Sequence, residues 1–436
     1  MSFTVCAANR PTTFALIDGN NFFVSCERVF NPYLNHKPVI VLSGNDGCAI
    51  ARSNEAKALN IAMSAALHTF SHLVKQHDIQ LLSCNFELYS DLSTRMMKVL
   101  QTFTANIDIS SIDEAFLDLS SIPNIDQENF AQTIHKTIFK CIGIPVTIGI
   151  APTKTLTKIA NRIAKKTQTS VKSIQTPHEI ESALKQTDIS AVWGIGRALA
   201  PKLKEIGLYT AFDLAQKDPR WARKMIGIMG ERLVRELQGT SCIAFNADED
   251  DKKSIQVTRS FGVKLTEFND IAEAISLHAT RLGEQLRAKK LITPTISVFC
   301  RTSPFGNSPY FKGIGVTGFD TPTNDTQLLI KGAIKALSQA YQLGHSFQSA
   351  GVHAMGLLQE GQVIQKILFT PSNDLSSKEK NKRSRSLNEA IDIINKRTGK
   401  DTVFWASSGI NPKHVPHQGK RSNRYTTRWD ELKIVI

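Results

Sequence analysis

The sequence predicts a multidomain α+β chain, and three observations carry that expectation. The chain has 436 residues, more than one core ordinarily serves, which points to roughly two to four domains. In the first part, short apolar runs of strand length alternate with longer segments of helical spacing. From Ser254 onward the order becomes β-α-β-β-α-β, the split βαβ arrangement.

The elements follow in order. Phe14-Ala-Leu-Ile17 ends at Asp18, and Pro38-Val-Ile-Val-Leu42 repeats the pattern; both read as buried strands of a mixed sheet. Asn54 to Asn60 and Asn85 to Phe103 have helical spacing, whereas Ile107 to Leu119 alternates around a polar break and predicts a β-hairpin. Pro145 to Ile150 is a further strand, and Thr153 to Lys166 a strongly basic helix. Helical stretches over Ile180 to Ala191 and Ala198 to Ile206 flank the turn Trp193-Gly-Ile-Gly196, with another helix reaching Gln216. Acidic Asp248 to Asp251 reads as a linker. The split βαβ unit is expected as a strand Ser254–Phe261, a helix Asn269–Lys290, strands Thr295–Arg301 and Gly313–Phe319, a helix Thr326–Leu343 and a strand Ala350–Leu358. Ser372 to Ser386, rich in Ser, Lys and Arg, predicts disorder, and Leu387 to Asn395 an amphipathic helix.

Charge narrows the function. Fifty-three Lys and Arg against 39 acids give +14 and a pI near 9.4, which favours a polyanionic partner: nucleic acid first, an anionic membrane second. No apolar run is long enough to span a bilayer, and Met1 to Thr13 lacks the apolar core of a signal peptide. The seven cysteines are scattered, with no Cys-x-x-Cys pair, against a zinc site or a disulfide framework. A reduced, cytoplasmic protein is expected.

The chemistry gathers at two clusters. Asp18 in Ile17-Asp-Gly-Asn-Asn-Phe-Phe23 closes a buried strand beside a helix start. Asp113 and Glu114 stand side by side in Ser111-Ile-Asp-Glu-Ala-Phe-Leu-Asp118, a hairpin otherwise built for burial. Adjacent acids there repel and lose solvation unless a cation neutralises them, and hard oxygen ligands suit Mg²⁺. Two such ions about 3.5–4 Å apart can activate one oxygen and stabilise a leaving one. Asp113-Glu114 alone could equally be two unrelated surface acids.

Together with Gly149-Ile-Ala-Pro-Thr-Lys-Thr-Leu-Thr-Lys158, Asn45-Asp-Gly-Cys-Ala-Ile-Ala-Arg52-Ser-Asn-Glu-Ala-Lys57 and the closing Arg424-Tyr-Thr-Thr-Arg-Trp-Asp-Glu-Leu432, these motifs resemble the Y-family of translesion DNA polymerases, in its UmuC branch. The resemblance runs from about Phe14 to Ile436. It implies a right-hand polymerase fold: palm and fingers over 12–188 with the fingers at about 30–84, a helix-hairpin-helix thumb over 189–245, and a split-βαβ little finger over 252–360. A clamp-binding peptide and linker would follow over 361–386, then a UmuC-type C-terminal module over 387–436.

The resemblance also implies roles. Asp18, Asp113 and Glu114 would hold two Mg²⁺ ions, Gly19 lending its carbonyl, with Glu114 near the primer 3′-hydroxyl. Phe23 would be the sugar gate, excluding a ribose 2′-hydroxyl; read alone, without the resemblance, it is a core aromatic on the helix face. Lys57 and Lys158 match contacts to the incoming dNTP, with Arg52 and Asn54 in the same finger segment. Gly194, Gly196 and Arg197 in the tight turn, and Arg259 and Ser260 in the first little-finger strand, would grip the backbone of primer-template DNA. Gln365, Ile367, Leu368 and Phe369 resemble a peptide that docks on the sliding clamp, or are a strand end. A processed UmuD-type dimer and the RecA filament are the other implied partners, in the bacterial DNA-damage (SOS) response. Gly19, Asn21, Asn60 and Phe23 depart from the family's usual residues, with Tyr common at the last and Gly at Asn60. A two-metal nuclease and a non-catalytic DNA-binding scaffold are the competing readings. The basic positions and the gate favour a triphosphate over water attack, and the complete carboxylate set argues against a scaffold.

Overall fold

The computed structural model describes residues 12–120, 126–245, 252–305, 309–361 and 375–432. They divide into two compact units, one of residues up to 248 together with 419–436, the other of residues 249–418.

The first unit opens on β1 (Phe14–Gly19) and α1 (Phe22–Phe30). Next come β2 (Val39–Leu42), β3 (Ala49–Arg52), α2 (Asn54–Ala58), α3 (Leu67–Gln76) and β4 (Gln80–Ser83). Then follow α4 (Phe86–Gln101), β5 (Ile107–Ile109), β6 (Glu114–Asp118), α5 (Gln127–Ile142), β7 (Val146–Ala151), α6 (Lys154–Thr167) and β8 (Val171–Ser173). Five strands form one sheet in the order β5-β6-β1-β7-β8. The continuous apolar run of β1 puts it at the centre, antiparallel to β6 and β7, where both faces are covered. The expectation of one sheet for β1 and β2 is corrected: β2 lies in a separate three-stranded sheet, β3-β2-β4, with its own small core of Ile40, Leu42, Ile61 and Phe70. Apolar content marks both strands as buried but does not say which neighbours they pair with.

One glycine sets the position of α6. A Cβ on Gly149 would lie 2.3 Å from the Thr157 carbonyl and 2.5 Å from the Asn161 nitrogen. Only glycine allows this helix to lie so close on β7, which brings its lysines over the end of the sheet.

A helical set follows: α7 (Pro177–Lys185), α8 (Leu199–Glu205), α9 (Ala211–Ala215), α10 (Pro219–Ile226) and α11 (Ile228–Leu237). The helix expected over Ile180 to Ala191 is interrupted: α7 ends at Lys185, and Asp188 caps a separate turn of 3-10 helix by accepting from the Ser190 N–H. Asp248 to Asp251 lies outside the described residues.

The second unit has β9 (Ser254–Leu265), α12 (Phe268–Ala288), β10 (Leu291–Thr302), β11 (Lys312–Thr323), α13 (Thr326–Ala340), β12 (Phe347–Met355) and a short β13 (Leu358–Gln359). The order β11-β10-β12-β9, with α12 and α13 packed on one face, is the expected split βαβ arrangement. The expected disorder over Ser372 to Ser386 is corrected from Leu375 onward, where α14 runs unbroken over Leu375–Thr398; residues 372–374 lie outside the described residues. Polar tertiary contacts hold it where composition offers little apolar surface. Asn388 donates to Asp325 at 2.8 Å, and Arg287 pairs with both oxygens of Asp392 at 2.7 and 2.8 Å. The C-terminal segment from 387 divides between the units at residue 418. Among the described residues no helix is long and apolar enough to cross a membrane.

Candidate active site

Asp18, the last residue but one of β1, stands directly opposite Glu114, the first residue of β6. The Gly19 N–H donates to the Asp113 carbonyl at 2.8 Å, which ties the β5–β6 turn to the strand end. All three acids are therefore carried at the same end of the sheet. Ser111 Oγ donates to Asp113 Oδ1 at 2.5 Å, and Ser110 Oγ to Glu114 Oε1 at 2.9 Å, fixing two of the carboxylates. Burial raises the pKa of Asp18 above the usual carboxylate value; Lys165 opposes this, and the charges of Asp113 and Glu114 add to it. The site is thus short of positive charge.

Helix α6 supplies what there is. Lys158 Nζ donates to both oxygens of Glu114, at 2.8 and 2.9 Å, and lies 4.9 Å from the Trp193 ring centre. Lys165 pairs with Asp18. Lys165 was not singled out in the sequence, although it follows Lys158 by seven residues, the spacing that puts two side chains on one helix face. Among the described residues, no three acidic, histidine or cysteine groups converge closely enough to hold a metal ion in this arrangement. Asp18 and Glu114 each turn to an ammonium instead.

Beside the carboxylates opens a cavity of about 590 Å³, lined among others by Asn20, Asn21, Asn54, Lys57, Thr147 and Lys165. Asn21 takes a left-handed conformation, φ +48°, and its side chain turns to α2 rather than capping α1. It donates to Asn54 at 3.0 Å and accepts from Lys57 Nζ. Partial burial first, then the charges of Arg52 and Lys165, lower the Lys57 pKa, so these cations share one electrostatic field. Arg52 itself bonds to the Ile61 carbonyl. Asn60, where glycine is more usual, adopts φ +56°, a left-handed conformation Asn tolerates. The structure places Asn54 and Lys57 in the cavity wall, with Arg52 close enough for its charge to act on Lys57, and places Lys158 at Glu114.

Phe23 is half-buried and rests flat on Tyr89, ring centres 4.6 Å apart at 14°, with Phe86 edge-on at 5.7 Å. Its neighbour Phe22 is the buried core aromatic, 3% exposed.

The remaining candidates are dispersed. Gly194 has φ +94° in a turn whose Trp193 and Arg197 are exposed. Arg259 and Ser260 are adjacent strand residues and so point to opposite faces. Arg259 pairs with Ala350 on the helix-covered side, where its charge reaches the buried His278; Ser260 pairs with Ser349 on the open side. Gln365, Ile367, Leu368 and Phe369 lie outside the described residues.

A β-sheet with three acids at one end, a helical set and a split-βαβ unit define a Y-family DNA polymerase fold. A solved chain titled "Y-family DNA polymerase chimera Dbh-Dpo4(243-245)-Dbh" matches with a TM-score of 0.64 at 21% identity, over 80% of this chain and 99% of that one. Residues 17–162 match the impB/mucB/samB family model, 252–367 its C-terminal domain, and 385–435 a domain of unknown function, DUF4113. Protein UmuC of Salmonella typhimurium is 36% identical over 424 residues, covering 96% of this chain and 99% of its own length. Protein ImpB of Salmonella typhimurium is 34% identical over 97% of this chain and 99% of its own. DNA polymerase IV of Lactococcus lactis subsp. cremoris (strain SK11) is 27% identical over 80% and 94%. The chain belongs to the impB/mucB/samB family, alongside UmuC.

Proposed function

We propose that this chain is a template-directed, error-prone DNA polymerase for lesion bypass, transferring a nucleotide from a dNTP to a primer 3′-hydroxyl. The observation that supports it most is that Asp18, Asp113 and Glu114 are carried at the same end of the sheet, beside a cavity bearing Lys57 and Lys165.

The donor set suits two Mg²⁺ ions: hard oxygens only, and a buried carboxyl whose ionised form Lys165 compensates only in part. Asp18, Asp113, Glu114 and the Gly19 carbonyl would hold them, supplying charge neutralisation and an acidified 3′-hydroxyl. Lys165 and Lys158, now leaning on Asp18 and Glu114, are the cations such ions would displace. Lys165 would then be free to turn with Lys57, Asn54 and Arg52 toward the triphosphate. Phe23, backed by Tyr89, presents its ring edge to the sugar. In this reading 12–188 is palm and fingers, 189–245 thumb and 252–360 little finger. The thumb turn at Gly194, Gly196 and Arg197 contacts the DNA backbone, as does the little-finger segment at Arg259 and Ser260, of which only Ser260 is on the open face. Primer extension on a lesion-bearing template, with and without Mg²⁺, tests the proposal; no metal-dependent extension defeats it.

DNA binding is expected to fall steeply with salt and to ignore sequence. A chain of net charge +14 that neutralises about six phosphates loses on the order of 10³-fold in affinity between 50 and 200 mM salt. Titration of two unrelated duplexes at several salt concentrations checks this; a flat curve, or one duplex strongly preferred, counts against it.

We further propose that the polymerase acts in the SOS response with a processed UmuD-type dimer and the RecA filament, and docks on the sliding clamp through Gln365 to Phe369. Deleting those five residues is expected to reduce clamp-stimulated synthesis and to spare basal extension. Equal stimulation of both forms rules the docking role out.

A further inference from the structure

The last residues of the chain return to the first unit and bind where the gate aromatic is supported. Residues 419–432 lie within the region whose family model is a domain of unknown function. Ser83 and Lys420 exchange bonds, Ser83 N to the Lys420 carbonyl at 3.0 Å and Lys420 N to Ser83 Oγ at 3.0 Å, so the segment extends the edge at β4. Asn85, which caps α4, donates to the Ser422 carbonyl at 3.1 Å and to Ser422 Oγ at 3.0 Å. Tyr425 stacks on Phe30, the last residue of α1, with ring centres 4.9 Å apart at 12°.

At the middle of these contacts sits Glu27 of α1, 2% exposed. One of its oxygens, Oε1, accepts from Tyr89 Oη at 2.7 Å and from Ser422 Oγ at 3.0 Å. A buried carboxyl is tolerated only where such donors meet it, and removing one leaves a costly unsatisfied acceptor. Burial correspondingly raises the Glu27 pKa, with the two hydroxyls opposing. Tyr89 is fully buried, and its ring carries Phe23 at 4.6 Å. Helices α1 and α4, which bring Phe23 and Tyr89 together, are thus joined through Glu27 and strapped by one C-terminal segment.

We propose that residues 419–432 are a strap that positions the sugar gate: Ser422 and Tyr425 hold Glu27, Tyr89 and α1 so that the Phe23 ring keeps its place at the nucleotide sugar. This rests on the reading of Phe23 as the gate. The residues are positioning residues, acting through Tyr89 and the helix rather than on the nucleotide.

The test uses the full chain. In Ser422→Ala/Tyr425→Ala the ratio of ribonucleotide to deoxynucleotide insertion is expected to rise about fivefold, the factor set by losing one net hydrogen bond's worth of positioning. The KM for dNTP should rise more than kcat falls. Tyr89→Phe, which keeps the ring and removes only the hydroxyl, should move the ratio the same way. Phe23→Ala serves as the reference for the gate, and Leu184→Ala, in the separate core of the helical set, as a control for general destabilisation. If Phe23→Ala raises the ratio and the strap variants do not, the coupling is overturned and the gate stands. If Phe23→Ala leaves the ratio unchanged, the gate reading is overturned and the strap proposal with it. A rise in Leu184→Ala equal to that of the strap variants also overturns it, because loss of stability alone then suffices.

Discussion

Primer extension by Asp113→Ala is expected to fall by at least about 10³-fold, because electrostatic stabilisation at a metal-assisted transfer is worth several kcal/mol and each ~1.4 kcal/mol is tenfold in rate. DNA binding should survive, since it draws on phosphate contacts spread over a basic chain. Melting temperature gives a second readout. Asp113 lies in a turn held to β1 through its carbonyl, which alanine keeps, and its side chain accepts from Ser111 Oγ. Its negative charge adds to the penalty on ionised Asp18. The sign follows from that raised pKa. Ionising Asp18 costs the folded chain stability as pH rises from the ordinary carboxylate value through the raised one. Above that range, without metal, Asp113→Ala should melt no lower than the wild type by more than the lost serine bond, about 1 kcal/mol. Mg²⁺ should raise the wild-type melting temperature in the same range and not that of the variant. Near-normal extension, or an equal Mg²⁺ shift in both proteins, would sink the assignment of the metal site.

Phe23→Ala is expected to admit ribonucleotides, raising their insertion relative to deoxynucleotides by roughly tenfold or more while deoxynucleotide insertion is largely kept; an unpaid steric clash of ~1.4 kcal/mol already corresponds to tenfold. The ring is half-buried, flat on Tyr89 and edge-on to Phe86. A fully buried phenylalanine replaced by alanine costs about 3–5 kcal/mol, so the loss here should lie below that range. Phe22, in the core at 3% exposure, supplies the contrast: Phe22→Ala should cost the full amount and leave the sugar ratio alone. Insertion ratios and melting curves for the two variants separate gate from packing. An unchanged ratio with a large melting shift in Phe23→Ala means its ring is packing and sugar discrimination lies elsewhere.

Much of the fold was legible because burial writes itself into residue order. Phe14-Ala-Leu-Ile17 could only be a strand covered on both faces, the break in Ile107 to Leu119 could only be a hairpin, and the β-α-β-β-α-β order followed from periods of two and of three to four. Asp18, Asp113 and Glu114 stood out by the same logic, as acids in segments otherwise shaped for an interior. What the sequence by itself determined were the properties local spacing controls: element type, strand and helix order, the adjacent acids, and the motifs that place the chain in its family.

Only the tertiary structure decided which elements meet. Two equally apolar strands, β1 and β2, went to different sheets, because pairing partners are chosen by register and packing across long stretches of chain. Lys158 and Lys165 read alike as helix charges, yet the bare Cα of Gly149 lets α6 close on β7 and assigns one lysine to Glu114 and the other to Asp18. The polar run before Leu387 is helix, with contacts to distant residues such as Ser384 to Asp325 and Arg385 to Glu360, which no local window contains. The strap is the extreme case. Ser422 and Glu27 stand 395 residues apart, and a serine hydroxyl carries no mark in sequence of the buried carboxyl it will satisfy.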